Sequence, residues 1–471
     1  MRLPVWITLI VAVLAAALVL VGGQLLINPD RPLIVSAASS LDRISPNADG
    51  VEDVTEFTYE LSRNASVSLT LTDAQGQAFV FRQDEPRIGQ EYRVQFGGVV
   101  DGFTLPDDEV QGTIVRRLIP NGSYTWTLRA VAQDDGEVME QSGTLTVEGG
   151  AAQPPDIIEF TVFPDVFTPN QDGVDDRTQV NVGLAKAAEL DVFLQSPSGE
   201  EIPMARREEG REEGEEGRHA YDYEGGVDIG ADPPPDGTYT VVARAQDAEG
   251  QVVERTAILT IANGGKPRAE IVAQPVGPTV AFTVLPYEEG YFAGLDEDGE
   301  RVAGDLIALP DQPDSLSMNA ITMQIGDLLV FRLTVENYSP APIRTTGPPP
   351  GTVYQQEQLA ASLGWFESSG AWRVGIQCET SQDSYPWRWA IGAPDELVQE
   401  TAADGEVYYY LPPGERSVVW GAVRMTNITE AQNPQRCWAG LIHEDVEVTL
   451  QNSNVGAREI ELVDPAAESS G

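Results

Sequence analysis

Two closely matching corners decide the fold: Ser45-Pro46-Asn47-Ala48-Asp49-Gly50-Val51-Glu52-Asp53 and Thr168-Pro169-Asn170-Gln171-Asp172-Gly173-Val174-Asp175-Asp176. The copies lie 123 residues apart, and alternating strand-like sequence follows each of them. Pro, Asn, Asp and Gly are turn-forming residues, and the amide and carboxylate side chains also supply oxygen ligands. The repetition predicts a modular outer region whose role is display or adhesion rather than catalysis.

Three further pairs of segments match in the same order after the corners, which makes the repeat firm. They are residues 67–76 with 190–199, 96–99 with 223–227, and 121–124 with 236–239. The first of these alternates apolar and polar residues with the period of a half-buried strand. Short strands separated by turn signals predict a β-sandwich of roughly 110 residues for each copy.

The whole chain is therefore expected to be all-β after its N-terminus. We predict sandwich modules at residues 40–150 and 156–263, divided by Gly- and Pro-containing linkers. A larger, decorated β-sandwich is predicted at 267–463, where the strand-like sequence continues with different composition. Residues 28–39 are interpreted as a tether and residues 464–471 as a disordered tail.

The four matching elements carry a family resemblance. In order, a Pro-Asn-x-Asp-Gly-x-x-Asp corner, a Val-x-Leu strand, an aromatic-x-Gly step and an Asp/Asn-Gly-Ser/Thr-Tyr turn resemble the Ig-like domain of flagellar hook-capping proteins. They are equally similar to C-terminal sandwich domains of gliding-motility and other exported bacterial proteins. The resemblance covers residues 40–262 and implies an Ig- or fibronectin-like fold and a surface-exposed role, but no flagellar role. The region 267–463 is only weakly Ig-like.

The N-terminus predicts export. Residues 5–26 carry no charge and are long enough to span a bilayer core. Arg2 precedes this stretch and the acidic bulk follows it, which places the C-terminus outside the cell. We predict a signal anchor at residues 1–27 of a single-pass cell-membrane protein with an extracellular ectodomain. A cleaved signal peptide is the alternative.

Composition excludes one class of partner. Asp and Glu number 74 against 29 Lys and Arg, giving a formal charge of −45. Such a surface repels phosphates, so we expect no nucleic acid partner. It suits solubility, divalent cations or basic partners.

The chain contains two cysteines, Cys378 and Cys437, both in the last third. One disulfide is the simplest expectation for two cysteines in a β domain of an exported protein. Two free buried thiols are the alternative, because sequence does not show that the sulfurs meet.

Both corners offer oxygen atoms to a cation. The candidate ligands are Asn47, Asp49 and Asp53 in the first copy and Asn170, Asp172 and Asp176 in the second. Ca²⁺ takes six to eight oxygen ligands, and a short loop bent at glycine can wrap it. The alternative is an Asx-turn in which the side chains bond their own backbone. Calcium is the one cofactor that the sequence suggests.

Aromatic residues concentrate in the last third, with Trp365, Trp372, Trp387 and Trp389 within 25 residues. Exposed Trp faces stack on sugar rings, so this cluster is a candidate ligand-binding surface. The alternative is the core of a sandwich, since Trp387 and Trp389 alternate as one face of a strand.

Catalytic arrangements are not evident. His219 and His443 are the only histidines, and the sequence has no nucleophile elbow, phosphate loop or dinucleotide fingerprint. We predict a non-enzymatic cell-surface structural or adhesion protein, with an acidic stalk and a C-terminal domain that contacts a protein or cell-envelope polysaccharide. The alternative is a carbohydrate-binding or sensing ectodomain that uses the Trp-rich surface.

Overall fold

The computed structural model describes residues 10–19, 31–106, 108–150, 153–206, 212, 214–291, 293–317, 319–402 and 405–464. Residues 10–19 form a helix whose side chains are exposed. The other described residues form strands, turns and five short 3₁₀ turns: Val227–Ile229, Glu289–Tyr291, Ala360–Leu363, Glu430–Gln432 and Leu450–Asn452. The all-β prediction is confirmed.

The predicted membrane span lies mostly outside the described residues, which omit 1–9 and 20–30. Within the described part of the chain, no helix has both the length and the apolar character required to cross a bilayer. The tail at 465–471 also lies outside the described residues, so both interpretations stay predictions.

The first module is a two-sheet sandwich. Its strands are β1 (Ile34–Ser39), β2 (Arg43–Ile44), β3 (Thr55–Leu61), β4 (Ala65–Thr72), β5 (Ala78–Arg87), β6 (Glu91–Phe96), β7 (Val99–Asp101), β8 (Thr113–Leu118), β9 (Gly122–Ala132) and β10 (Val138–Val147). One sheet has the order β1-β3-β6 and the other β2-β10-β9-β4-β5. Alternating residues of β3, β4 and β9 point between the sheets and form the core around Phe57, Leu69 and Trp126.

The tether prediction is wrong from Leu33 onward. Leu33 and Ile34 are fully buried in the first core, and β1 pairs along β3. The two apolar side chains bury against the sandwich because exposing them to water is unfavourable. The first module therefore begins several residues before position 40.

The second module repeats this topology. Its strands are β11 (Ile157–Phe163), β12 (Val166–Phe167), β13 (Thr178–Leu184), β14 (Glu189–Gln195), β15 (Glu201–Pro203), β16 (Gly217–Tyr223), β17 (Gly237–Gln246) and β18 (Val252–Ile261). One sheet is β11-β13-β16, and β15-β14-β17-β18 forms the core of the other. The short strand after β11 pairs parallel with β18, as β2 does with β10. Each strand of the second module thus has a counterpart in the first.

The hairpin β7–β8 breaks the symmetry between the modules. It follows β6 in the chain but extends the second module's sheet, where β8 pairs antiparallel with β18. Between the hairpin and the second module, the Gln251 side chain accepts a buried hydrogen bond from the Leu118 N–H at 3.2 Å. The modules therefore share one seven-stranded sheet instead of being joined by the linker alone.

Gly112 lets the hairpin approach β18 closely, which yields a test. Its φ is +113°, and a Cβ there would lie 2.6 Å from the Glu254 carbonyl oxygen. We expect Gly112→Val to separate β8 from β18. The distribution of distances between spin labels at Gln75→Cys and Ser198→Cys should then become broader. Gly136→Val is the control, because Gly136 also has positive φ (+74°) but nothing within 4 Å. Equal broadening in both variants would mean that the shared sheet does not hold the modules together.

The C-terminal domain is a larger sandwich. Its strands are β19 (Ala269–Ile271), β20 (Ala281–Leu285), β21 (Gly294–Leu295), β22 (Arg301–Val302), β23 (Ile321–Gln324), β24 (Leu328–Asn337), β25 (Ile343–Thr345), β26 (Val353–Gln355), β27 (Trp372–Cys378), β28 (Trp387–Ala390), β29 (Val398–Thr401), β30 (Val407–Leu411), β31 (Arg416–Arg424), β32 (Gln435–His443) and β33 (Val455–Val463). One sheet is β19-β24-β31-β26, with β20 also on β24. The opposing sheet is β23-β33-β32-β27-β25-β30-β29, with β28 also on β27.

The predicted disulfide is confirmed. Cys378 and Cys437 are directly paired across β27 and β32 and are bonded to each other. Both are fully buried in the large core of this domain. The bond closes a loop between residues 59 apart in sequence, and in the chain-entropy view it stabilises the fold by restricting the unfolded chain.

Candidate binding site in the C-terminal domain

The first corner is an exposed Asx-turn. The Asp53 carboxylate accepts the backbone N–H groups of Asn47 at 3.0 Å and Gly50 at 2.6 Å. Asp49 accepts the Val51 N–H at 2.8 Å and the Asn47 side-chain amide at 3.0 Å. Positive φ at Ala48, Gly50 and Glu52 sharpens the bend. These four carboxylate oxygens therefore hold the corner together through local hydrogen bonds.

The second corner keeps the bonds from backbone N–H groups to its two aspartates but is buried against the C-terminal domain, and its Asn170 amide donates to the Asn263 carbonyl instead. Asp176 accepts from Gly173 N–H at 2.6 Å, and Asp172 accepts from Val174 N–H at 2.8 Å. Asn170 and Asp172 are 2% and 4% exposed, whereas Asn47 and Asp49 are exposed. The two copies of one motif therefore occupy opposite environments.

Three side chains of the C-terminal domain donate hydrogen bonds to the second corner. The His443 ring donates from Nε2 to the Gln171 carbonyl at 2.8 Å, and Arg344 donates from Nε to the Asp172 carbonyl. The Tyr410 hydroxyl donates to the Asp172 carboxylate. The backbone of the corner also contacts the backbone at Gly370 so closely that a Cβ on Gly370 would lie 2.2 Å from the Asp172 carbonyl carbon. The corner thus links the second module to the C-terminal domain.

Burial changes the acidity of this junction. Desolvation, followed by the nearby Asp176 charge, raises the pKa of Asp172 to about 7. Burial raises the pKa of Tyr410 as well, helped by the negative charge of Asp172. Burial lowers the pKa of His443 to about 4, so its ring is neutral at physiological pH. Asp172 is therefore partly protonated near neutral pH.

The calcium prediction stays untested, and local hydrogen bonds explain the corner carboxylates without a cation. Within the described residues, no group of three or more His, Cys, Asp or Glu side chains is arranged to hold a metal ion. The six candidate residues lie in two separate corners, and in each corner the aspartate carboxylates accept hydrogen bonds from backbone N–H groups of the same corner.

Asp53 offers a direct test of the turn interpretation. We expect Asp53→Ala to lower the melting temperature of the first module in EDTA, because it removes the acceptor of the Gly50 N–H and one of the two acceptors of the Asn47 N–H, the other being the Ser45 carbonyl. In a corner open to water the loss is about 0.5–1.5 kcal/mol per hydrogen bond. The measurement is calorimetry with EDTA and with millimolar CaCl₂. A loss of stability seen with calcium alone would assign this carboxylate to a cation instead.

The Trp-rich surface prediction is wrong for three of its four residues. Trp372, Trp387 and Trp389 are 3%, 2% and 0% exposed and lie in the large core. The Trp389 ring packs edge-on against Phe331 and Tyr354, and its indole N–H donates to the Thr352 carbonyl at 3.0 Å. A decorated sandwich has a wide interior, and these rings fill it. Trp365 alone of the four reaches the surface, where it is half-buried.

Three clefts meet at Trp365. The largest of these three is about 710 Å³ and is lined by Trp365, Phe366, Tyr408, Tyr409, three arginines and Glu406, with Thr, Pro, Leu, Val and small residues between them. A second cleft of about 680 Å³ shares Trp365 and Phe366, and a third of about 290 Å³ shares Trp365. These dimensions are those of ligand-binding sites in general.

Hydrogen bonds to the buried charged residues Glu444 and Arg373 hold the segment 364–370, which contains Trp365 and Phe366. Glu444 is 2% exposed and accepts from Arg373 Nη1 at 2.9 Å, from Arg388 Nη1 at 3.0 Å and from Ser368 N–H at 2.7 Å. Arg373 also donates to the Phe366 carbonyl at 2.7 Å. Burial lowers the pKa of Arg373, and the Glu444 charge opposes that effect.

Arg344 connects the cleft to the junction with the second module. Besides its bond to the Asp172 carbonyl, it donates to Ser368 Oγ at 3.1 Å and to the Ser369 carbonyl. Its guanidinium also lies 5.3 Å from the centre of the Tyr408 ring. One side chain therefore bonds to the second corner and to the cleft-lining segment.

Sequence reasoning missed most of this site. Arg344, Arg373 and Arg388 are isolated charges in sequence, Glu444 stands in an ordinary acidic turn, and elements distant along the chain bring them together. One signal was present: Arg344, Arg373 and Arg388 lie in otherwise apolar stretches, and arginine buried in a core needs a partner.

The chain matches no family model and no curated protein sequence. Solved structures similar to it include fibronectin(III)-like modules of CbhA from Clostridium thermocellum (10% identity, 48% of this chain and 92% of that one, TM-score 0.18). Another is a tetra-tandem repeat from the extending region of a large adhesion protein (13% identity, 90% and 98% covered, TM-score 0.17). A third is a 1.5-MDa bacterial ice-binding adhesin (10% identity, 85% and 99% covered, TM-score 0.17). TM-scores this low do not establish a shared arrangement.

Proposed function

We propose that this chain is a non-enzymatic cell-surface protein of adhesive or structural role, anchored in the membrane by its N-terminal segment. The two repeated modules form an acidic stalk, and the C-terminal domain contacts a partner outside the cell. One observation carries the proposal: each junction between folded units is built from specific contacts. The first is the sheet shared through β8 and β18, and the second is the buried corner at Asp172.

Rigid junctions suit a stalk because they hold a terminal domain away from the membrane. A flexible linker would let the domain fold back, whereas paired strands and buried polar contacts fix its direction. The charge of −45 also keeps such a protein soluble and separated from anionic surfaces. Calcium bound at the corners would stiffen the stalk further, in keeping with the acidic corners.

Carbohydrate binding or sensing is the second candidate function. The exposed Phe366 ring beside the half-buried Trp365 favours it, since rings at the rim of a cleft can contact sugars. The buried rings of Trp372, Trp387 and Trp389 do not contribute to such a surface.

The proposal is tested on cells that express the full chain with a tag after residue 464. We expect the tag to be accessible to antibody on intact cells and to stay in the membrane fraction. Deleting residues 267–463 should abolish attachment of cells to a partner-coated surface while the stalk stays exposed. A tag that is protected in intact cells, or attachment that survives the deletion, would contradict the proposal.

A further inference from the structure

The cleft of about 710 Å³ beside Trp365 has a charge opposite to that of the chain. The described residues that line it include three arginines (Arg301, Arg344 and Arg373) and one carboxylate, Glu406. Arg373 is paired with Glu444, so the excess positive charge comes from Arg301 and Arg344. The chain as a whole has more than twice as many acidic as basic side chains. A cationic cleft on such a protein focuses field lines on an anionic group.

Arg301 is the arginine that is available to a ligand. Arg344 and Arg373 are buried, and their N–H groups already bond to protein oxygens. Arg301 is exposed, and its guanidinium lies 4.0 Å from the centre of the Trp365 ring. Within the described residues it forms no ion pair. Stacking on an aromatic ring leaves the N–H edges of a guanidinium free to bind a carboxylate in bidentate fashion.

The backbone holds Arg301 in this position. Gly364 has φ +76°, and a Cβ there would lie 2.7 Å from Arg301 Cγ. The Arg301 stem therefore packs directly over the bare backbone that precedes Trp365. This packing fixes the guanidinium on the ring before any ligand arrives, which reduces the entropy lost on binding.

Phe366 gives the cleft an apolar contact beside the cation. Its side chain is 69% exposed at the border between this cleft and the neighbouring one of about 680 Å³. Its backbone is nevertheless fixed by the Arg373 bond to its carbonyl and by the Glu444 bond to Ser368. A large apolar side chain that is exposed on a fastened segment is typical of an interface hot spot.

We propose that this cleft binds an acidic peptide segment of a partner protein, with a carboxylate on Arg301 and a neighbouring apolar side chain on Phe366. This rests on the proposed function, in which the C-terminal domain contacts a partner. Arg, Trp, Phe and Tyr are the residue types enriched at the centres of protein interfaces. A peptide fits better than a sugar because Arg301 covers one face of Trp365 and the large core packs against the same ring.

The test uses the full-length chain in detergent and fluorescein-labelled ten-residue peptides that combine Glu with Leu or Phe. We expect binding in fluorescence anisotropy, at least tenfold weaker for peptides with Gln in place of Glu, and weaker with added salt. Arg301→Ala should weaken binding at least tenfold, Arg301→Lys less, and Phe366→Ala several-fold. Arg116→Ala is the matched control, since it removes an exposed arginine from the first module.

Other outcomes overturn the proposal. Failure of every acidic peptide to bind, equal affinity for Glu and Gln peptides, or no effect of Arg301→Ala would each do so. Retention of polygalacturonate that Arg301→Ala abolishes, without peptide binding, would assign the cleft to an anionic glycan. Surface exposure and attachment of cells are measured separately, so a failed peptide experiment leaves the proposed cell-surface function to its own test.

Discussion

Glu444→Gln is expected to destabilise the C-terminal domain by roughly 3–5 kcal/mol, because it leaves buried guanidinium charge without compensation. Arg373 and Glu444 are 1% and 2% exposed, and Arg388 shares the same carboxylate. Glutamine keeps the shape but not the charge, so Arg373 would lose the interaction that opposes its desolvation. The measurement is the free energy of unfolding in urea, followed by tryptophan fluorescence.

Glu336→Gln is the matched control for this prediction. Glu336 pairs with Arg416 at 2.8 Å in the same domain, but the Arg416 side chain is 59% exposed. Ion pairs in contact with solvent contribute about 0–1 kcal/mol, so little change is expected. The same small loss in both variants would show that the Glu444 cluster does not hold the segment 364–370.

Asp172→Asn is expected to stabilise the junction between the second module and the C-terminal domain at pH 8. The pKa of Asp172 is about 7 in the folded protein, against about 3.9 for an ordinary aspartate. The folded state therefore binds this proton more tightly, and stability is lost as the pH rises from about 4 to about 7. The full difference corresponds to roughly 4 kcal/mol above pH 7. Asparagine has no charge to desolvate.

The measurement is calorimetry of the wild type and the variant from pH 5 to pH 8. The melting temperature of the variant relative to the wild type should rise across this range and level off above pH 7. Comparing the two proteins removes the contribution of His443, whose low pKa destabilises the fold as the pH falls below about 6.5 in both.

Asp49→Asn is the internal control, because Asp49 occupies the same place in the first corner and is exposed. We expect its stability difference from the wild type to stay constant over this pH range. A pH-dependent difference of equal size at Asp49 would show that burial at the junction is not the cause.

Part of the fold followed from local pattern. Strands β4 and β14 were predictable because apolar residues alternate along them and turn residues end them. The segment β7–β8 was not assigned to the second module, since no local pattern indicates which sheet edge a hairpin will join. The Trp residues were ambiguous for a related reason: alternation places Trp387 and Trp389 on one face but does not say whether that face is covered.

The sequence by itself determined the repeat and the all-β class, because these depend on residues close together in the chain. It left the corners open between an Asx-turn and a calcium site. It also predicted the disulfide, which needed little more than two cysteines in one β domain. Only the tertiary structure decided that Asp49 is exposed while Asp172 is buried beside Tyr410. The physical reason is that desolvation and pairing depend on neighbours supplied by distant strands. The charge cluster at Glu444 and the cleft beside Arg301 have the same origin.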